Sequence, residues 1–220
     1  MSLSITHNAG FFSCCTVKLR QIIKYINTNN NLPEKIYCSE QFNLYKQNST
    51  HDITYVYFEH YENTKNIIID KIPIVITNSK NEDQFSNYNE LNYQELYRIV
   101  YKYFYPSIEI INIIQNIVSK YNIDYNNTCV LFYRGNDKSR ETPLCKYNEY
   151  ITYANIIIKE NPNIKFLIQS DVTEFIELMQ SKYYSNSFIL KDEIRHMKNS
   201  NSSVDIVMRS KNFQYSKYYL

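Results

Sequence analysis

Short apolar strands alternate with amphipathic helices along this chain, and that order restricts the folds open to it. Residues 3–6 (LSIT) predict a strand, and residues 14–26 (CCTVKLRQIIKYI) have apolar positions close to helical spacing. Residues 34–38 (EKIYC) predict a second strand, and Ser13 is the expected helix N-cap. Strand, loop, helix and strand in this order open a parallel α/β sheet.

The same order restarts after a predicted linker at residues 122–128. CVLFY (129–133) is apolar throughout, as expected for a parallel strand covered on both faces. After it we predict a helix at 147–160, a strand at 164–170, a helix at 172–183, a strand at 187–190 and the start of a helix at 203–213. The sequence therefore predicts two α/β halves, residues 1–122 and 123–220.

The later part of the first half has a less regular pattern. There we predict strands at 53–58 and 66–76, a surface loop at 77–90, and helices at 93–104 and 108–121, separated by Pro106. The segment VYKYFYP (100–106) alternates Lys with Tyr and has two interpretations. Such residues can stack nucleic-acid bases. In a chain with 23 tyrosines we favour a helix with a buried aromatic face.

Composition excludes several classes of protein. The formal net charge of +2 is too small to predict nucleic-acid binding. The five cysteines form no CxxC pair, which favours a reducing compartment, and the four histidines lack metal-ligand spacing. No segment resembles a signal peptide or a membrane span. We therefore expect a cytoplasmic protein with no metal, no nucleic-acid partner and no membrane span.

Glycine is scarce, and its two positions are informative. Gly10 and Gly135 are the only glycines, and each lies in the first strand-to-helix loop of its half. Ligands of open parallel α/β sheets bind at the carboxyl ends of strands, where glycine permits positive φ or close approach to the backbone. The two glycines are thus candidates to face each other across a ligand cleft. The alternative is that both serve only tight turns.

Arg134 directly follows the strand of the second half. A guanidinium at the carboxyl end of a strand can bind a phosphate through two hydrogen bonds. In a transferase that expels a nucleoside diphosphate, it would neutralise the charge developing on the leaving phosphate. The alternative is a surface arginine paired with Asp137 or Glu141.

The segment FYRGNDKSRE (132–141) resembles the arginine motif of the α-1,6-fucosyltransferases, nodulation fucosyltransferases and protein O-fucosyltransferases. That motif runs His-x-Arg-Arg-x-Asp-Lys, with a glutamate a few residues later. Arg134 matches the first arginine, which in the family binds the β-phosphate of GDP-fucose. Asp137 and Lys138 match the Asp-Lys pair that holds the loop, and Asn136 precedes them in the implied substrate-binding loop.

Three positions of this motif depart from the family pattern. Phe132 stands in place of the histidine, and Gly135 in place of the second arginine. Glu141 lies one position closer to the arginine than the family's acid/base glutamate, and the resemblance makes it the candidate catalytic base.

Segments farther along the chain continue the resemblance. Ser170 and Asp171 match the Ser-Asp or Thr-Asp pair at the end of the next family strand. Asp205, in SVDIVMRS, matches the aspartate that binds the guanine base, since a carboxylate accepts hydrogen bonds from guanine N1 and N2. Near the N-terminus, NAGFFSC contains Gly10 and Phe11, where the resemblance implies that the acceptor enters.

The resemblance implies a GT-B-like α/β fold, with two Rossmann-like halves facing a cleft. It implies an inverting, metal-independent glycosyltransferase that uses no cofactor, takes a nucleotide sugar such as GDP-fucose as donor, and modifies a glycan or glycoprotein acceptor. The family continues past the last helix into another strand, so we expect the second half to be truncated. The pattern is also similar to glycosyltransferase-like proteins of giant DNA viruses, which implies a host cytoplasm.

Two other interpretations stay open. One is a non-catalytic module of the same fold that binds a sugar nucleotide or a glycan, which the missing histidine and second arginine favour. The other is an unrelated α/β enzyme that uses Arg134 to hold a phosphorylated substrate.

Overall fold

The structure is a computed structural model that describes residues 2–46, 52–64, 89, 91–191 and 196–204. It is a mixed α/β protein, as predicted. The described residues form two compact units, one up to Ile113 and one from Ile114 onward. The predictions for residues 66–76, for nearly all of 77–90, for most of 203–213 and for Asp205 lie outside the described residues.

The first unit is built around a parallel pair of strands. Ser2 pairs with Lys35 and His7 with Gln41, with a shift in register between Ser4 and Thr6. Its elements are β1 (Ser2–His7), α1 (Phe11–Asn29), β2 (Lys35–Gln41), a 3-10 turn (Asn43–Tyr45), α2 (Thr54–Tyr57), α3 (Tyr93–Phe104) and α4 (Ile108–Tyr121), which ends in the second unit. The two strands and the helices α1, α3 and α4 confirm their predictions.

Helix α1 buries its apolar face against the strands. Ile22, Ile23 and Ile26 join Ile5 of β1 and Ile36 of β2 in the core. The spacing of these residues on α1 is that of a helix with one buried face.

The N-terminus of α1 differs from the prediction. The helix begins at Phe11 with Gly10 as its N-cap residue, so the prediction that Ser13 is the cap is wrong. The Ser13 hydroxyl instead lies 3.0 Å from the ring nitrogen Nε2 of His7. At the other end, Asn30 takes the left-handed conformation (φ 50°), and its N–H donates to the carbonyl of Ile26. Asparagine tolerates this conformation better than most residues.

Residues 53–58 do not form the predicted strand. Thr54–Tyr57 form the short helix α2, because the carboxylate of Asp52 accepts a hydrogen bond from the Thr54 N–H at 2.9 Å. The same carboxylate accepts from the Cys38 N–H at 3.2 Å. An aspartate that bonds to its own backbone two residues later starts a turn, and this local effect overrides the β propensity of ITYVYF.

The second unit contains a three-stranded parallel sheet in the order β3-β4-β5. Thr128 pairs with Lys165 and Tyr133 with Ser170, without a break in register. Its elements are β3 (Thr128–Tyr133), α5 (Tyr147–Glu160), β4 (Lys165–Ser170), α6 (Thr173–Lys182) and β5 (Ser187–Phe188). These elements confirm the predicted order, and β5 is shorter than predicted.

The core of the second unit lies on one face of this sheet. Leu131 and Tyr133 of β3 pack with Phe166 of β4 and with Phe175 and Met179 of α6. The alternate residues of β3 are exposed, Val130 at 49% and Phe132 at 58%. The expectation that β3 is covered on both faces is therefore wrong, because only its inward-facing side chains reach the helices.

Candidate ligand-binding site at the carboxyl edge of β3 and β4

The parallel register places two predicted site segments side by side. Tyr133 and Ser170 are paired at the ends of β3 and β4, so Arg134 and Asp171 leave the sheet at the same edge. This is the edge at which open α/β sheets bind their ligands. The structure thus brings together two segments that lie more than thirty residues apart in sequence.

Packing, and not backbone conformation, explains the glycine at position 135. Gly135 has φ −112°, outside the left-handed region. A Cβ atom there would lie 2.6 Å from Cγ2 of Val172 and 2.9 Å from Cε1 of Tyr133. Both distances are too short for carbon atoms, so only glycine lets the loop after β3 approach the loop after β4 this closely.

The close approach allows Asp171 to hold the loop after β3. The Gly135 N–H donates to Oδ1 of Asp171 at 2.7 Å. The other carboxylate oxygen, Oδ2, is buried and has no hydrogen-bond partner among the described residues, and Asp171 is only 7% exposed. A buried carboxylate oxygen without a partner is costly. The chemistry that would satisfy Oδ2 is a hydrogen-bond donor, such as a ligand hydroxyl or N–H group.

Asn136, which its place in the motif predicts as a substrate contact, is bonded to the protein in this structure. It is 1% exposed and takes the left-handed conformation, with φ 38°. Its side-chain amide Nδ2 donates to the backbone carbonyl of Asp171, and its Oδ1 accepts from the Ser200 N–H. Both ends of the amide are therefore occupied by the protein, which ties three loops together.

A segment that the sequence analysis did not assign to the site, residues 196–200, completes this network. Met197 pairs with Val172, donates to the carbonyl of Asp171 and accepts from the N–H of Thr173. The His196 ring lies 2.8 Å from the Thr173 hydroxyl, and burial lowers the pKa of His196. No local pattern in the sequence points to these contacts, because every partner lies more than twenty residues away.

Ser170 also supports the turn after β4. Its hydroxyl accepts a hydrogen bond from the Val172 N–H at 2.9 Å, and the residue is 8% exposed. Ser170 thus shapes the loop that presents Asp171.

Aromatic rings pack beneath this edge of the sheet. The ring of Tyr133 stacks on Phe175 with centroids 4.8 Å apart, and Tyr147 and Tyr150 contact both rings edge-on. Burial raises the pKa of Tyr147 to about 12, so its hydroxyl stays protonated at neutral pH. The rings form a rigid support for the loop that begins at Arg134.

Arg134 lies at the surface near a carboxylate of its own loop. Its guanidinium is 3.7 Å from Oδ2 of Asp137, and the side chain is 43% exposed. The other oxygen of Asp137, Oδ1, is buried without a hydrogen-bond partner among the described residues. The pairing with Asp137 is the one that the surface-arginine alternative predicts. A contact this long and exposed is weak, so an incoming phosphate can compete for the guanidinium.

Glu141 is tightly paired with Lys138. The Lys138 ammonium lies 2.6 Å from both carboxylate oxygens. The hydrogen bond from Lys138 lowers the pKa of Glu141, and the positive charges of Lys138 and Arg134 lower it further. Because Lys138 contacts both carboxylate oxygens, Glu141 must separate from Lys138 before it can accept a proton. A shallow depression beside it is lined only by residues 139–144 of one loop.

The predicted acceptor residues of the first unit have different surroundings. A Cβ atom on Gly10 would meet no atom within 4 Å. Phe11 is 2% exposed, its ring lies 4.7 Å from that of Tyr57, and its N–H donates to the Tyr45 hydroxyl. The Phe11 ring has a packing role and no exposed face for an acceptor. The proposed cleft between Gly10 and Gly135 stays a prediction.

Comparisons of the chain with known proteins found no relative. The chain matches no family model, no curated protein and no solved structure. The resemblance to fucosyltransferases therefore stays a prediction from the motifs. Within the described ranges, no cluster of three or more His, Cys, Asp or Glu residues is arranged to hold a metal ion. In the same ranges no helix combines the length and apolar character needed to cross a membrane.

Proposed function

We propose that this chain is a glycosyltransferase of the GT-B type that binds a nucleotide-diphosphate sugar, with GDP-fucose as the leading donor. The observation that carries the proposal is the arrangement at the carboxyl edge of β3 and β4. There Arg134 lies beside a loop bound to Asp171, whose second carboxylate oxygen is buried without a partner among the described residues. A cation for phosphate and a buried acceptor for a hydroxyl or N–H group are the two functions that a sugar nucleotide requires.

The donor would replace weak contacts within the protein. Arg134 would exchange its 3.7 Å contact with Asp137 for the β-phosphate. As the bond between the sugar C1 and the phosphate oxygen breaks, the guanidinium would neutralise the charge that develops on that oxygen. Asp171 Oδ2 would accept a hydrogen bond from the nucleoside. Asp205, outside the described residues, keeps its predicted contact with the guanine base.

Transfer also requires a base for the acceptor hydroxyl. That hydroxyl would attack C1 from the side opposite the phosphate and give its proton to a carboxylate. Glu141 is the candidate, and it can accept the proton only after Lys138 leaves it. A bound diphosphate offers Lys138 an alternative anion, so donor binding would free the base.

The Lys138–Glu141 pair favours a second candidate function. If the pair persists when the donor binds, Glu141 stays bound to Lys138 and does not serve as the base. The chain would then be a non-catalytic module that binds a sugar nucleotide or a glycan. Both candidates use Arg134 and Asp171 for binding, and they differ in turnover.

Calorimetric titration with GDP, GDP-fucose, UDP, UDP-glucose and pyrophosphate tests the proposal. We expect GDP and GDP-fucose to bind selectively and Arg134→Ala to weaken their binding about 10- to 100-fold, the range for a lost charge-assisted hydrogen bond. Asp171→Asn should weaken GDP binding more than pyrophosphate binding, because its Oδ2 is assigned to the nucleoside. The matched control is Arg140→Ala, an exposed arginine of the same loop, which should bind GDP like the wild type.

Each other outcome has a defined meaning. Equal binding of pyrophosphate and GDP would support an unrelated enzyme of phosphorylated substrates. Absence of binding to all five ligands would reject the sugar-nucleotide site. Selective GDP-fucose binding without release of GDP, across a panel of glycan and protein acceptors, would favour the non-catalytic module.

A further inference from the structure

Three tyrosines form a row along α3 and its C-cap in the first unit. Tyr97 and Tyr101 lie four residues apart on one side of α3, and Tyr105 is the C-cap residue that follows the last turn. The ring centroids of Tyr97 and Tyr101 are 6.2 Å apart, and those of Tyr101 and Tyr105 are 5.0 Å apart. Tyr97 is 66% exposed, Tyr105 is 38% exposed and Tyr101 is half-buried. We call these residues the tyrosine row.

The row tyrosines are not members of the buried core cluster of the first unit. The opposite side of α3 supplies the core residues Leu96, Ile99 and Tyr103. No hydrogen bond within the described part of the chain uses the hydroxyl of any row tyrosine. The aromatic face that we predicted for this segment is formed by Tyr103, which is buried, and by Phe104, which is partly buried and packs against the core. Within the described residues the row offers aromatic surface together with hydroxyl groups that no hydrogen bond uses, a combination typical of binding surfaces.

The charges near the row argue against nucleic acid. Helix α3 has two basic residues, Arg98 and Lys102. Arg98 lies 3.7 Å from the carboxylate of Glu95, and Lys102 is buried with its ammonium donating to the carbonyl of Tyr61. Binding of a phosphate backbone depends on exposed cations that are free to replace counterions. The helix therefore suits an uncharged ligand better than an RNA or DNA strand.

The size of the row argues against a homodimer interface. Eight residue steps from Tyr97 to Tyr105 cover roughly 12 Å along the helix axis. A stable dimer buries about 800 Å² on each partner, far more than a strip of this length and one ring in width. A strip of this size matches a short chain of sugar rings.

We propose that the tyrosine row binds a neutral oligosaccharide. The C–H bonds on the apolar face of a sugar ring carry partial positive charge, and the face of an aromatic ring is negative, so the two stack favourably. Sugar hydroxyls at the rim can exchange hydrogen bonds with the tyrosine hydroxyls. This inference rests on the proposed function, because it places the glycan acceptor of the same protein on α3.

Titration with neutral tri- and tetrasaccharides of glucose, mannose, galactose and N-acetylglucosamine, followed by NMR, tests the proposal. We expect the resonances of the row tyrosines to shift at millimolar saccharide. Tyr97→Ala and Tyr101→Ala should each weaken binding about 2- to 10-fold, the range for one aromatic contact. These variants should fold, since alanine has the highest helix propensity.

Tyr153→Ala is the matched control, because Tyr153 of α5 is also 66% exposed and lies in the other unit. Unchanged binding in this variant would support the row as the site. If no saccharide shifts the row resonances, or if the row variants bind like the wild type, the proposal is wrong. Two further outcomes would also contradict the proposal. In one, the wild type binds a uridine oligonucleotide and Tyr97→Ala does not. In the other, the wild type sediments as a dimer and Tyr97→Ala sediments as a monomer. Titration of Tyr97→Ala with GDP tests the donor site separately. We expect this variant to bind GDP like the wild type, whether or not the saccharide proposal is correct.

Discussion

The two strand-to-helix loops that contain the glycines are similar in sequence position and different in construction. In the first unit, a Cβ atom on Gly10 would meet no described atom within 4 Å, and the neighbouring Phe11 is buried in an aromatic cluster. In the second unit, Gly135 is crowded by Val172 and Tyr133, and it is followed by the buried Asn136 and the partly exposed Asp137 and Lys138. The first loop thus stabilises the fold through a side chain, and the second organises a candidate site through its backbone.

Replacement of Phe11 should have the largest effect. Phe11→Ala removes a ring that contacts Phe42, Tyr45 and Tyr57, and we expect it to lower the free energy of unfolding by about 3–5 kcal/mol. Urea denaturation followed by circular dichroism measures this change. Phe12→Ala is the matched control, because Phe12 is 61% exposed and should change stability by less than about 0.5 kcal/mol. Equal effects of the two variants would contradict the packing role of Phe11.

Replacement of each glycine by alanine should change the free energy of unfolding by less than Phe11→Ala does, and the two glycine variants should differ from each other. Gly135→Ala forces Val172 or Tyr133 to move, and we expect a loss of about 1–3 kcal/mol, the usual cost of overpacking. Gly10→Ala meets no atom, and its φ of −57° suits alanine. Alanine lowers the entropy of the unfolded chain, which stabilises the protein, but it is a poorer N-cap than glycine, which destabilises it. The two effects should cancel to within about 0.5 kcal/mol.

The same denaturation experiment compares both glycine variants. Gly135→Ala should also weaken GDP binding, since the Gly135 N–H would move away from Asp171. If both variants have wild-type stability, the close packing of the two loops in the second unit is not present in solution.

Local periodicity predicted most of the regular structure, because α1, α3, α4, α5, β3 and β4 each carry their own apolar pattern. It failed where one side chain redirects the backbone, as Asp52 does when it begins α2. The scarcity of glycine indicated that Gly135 matters, but its reason depends on Val172, which belongs to the loop after β4.

The network around Asn136 lay beyond sequence reasoning for a similar reason. Its amide binds Asp171 and Ser200, which are 35 and 64 residues away, and no spacing rule connects such distant positions. The motif predicted that this loop belongs to a ligand site, and that assignment stays a prediction. It did not reveal that both ends of the Asn136 amide bind the protein, or that Oδ2 of Asp171 has no hydrogen-bond partner among the described residues.

The pairing of Glu141 with Lys138 predicts the smallest effect, which concerns titration more than stability. Because the pair lowers the pKa of Glu141 below its ordinary value of 4.5, its stabilising contribution is present above about pH 4.5 and is lost as the pH falls through the depressed pKa. In Lys138→Gln the pKa of Glu141 should rise toward 4.5, as measured by NMR titration of the side-chain carboxyl. Arg140→Gln, the control in the same turn, should leave the pKa of Glu141 low.

Addition of GDP to the wild type should raise the pKa of Glu141 as Lys138→Gln does, if the diphosphate draws Lys138 away. A pKa that stays low with GDP bound would instead mean that the pair persists, which leaves Glu141 without a role as base and favours the binding module.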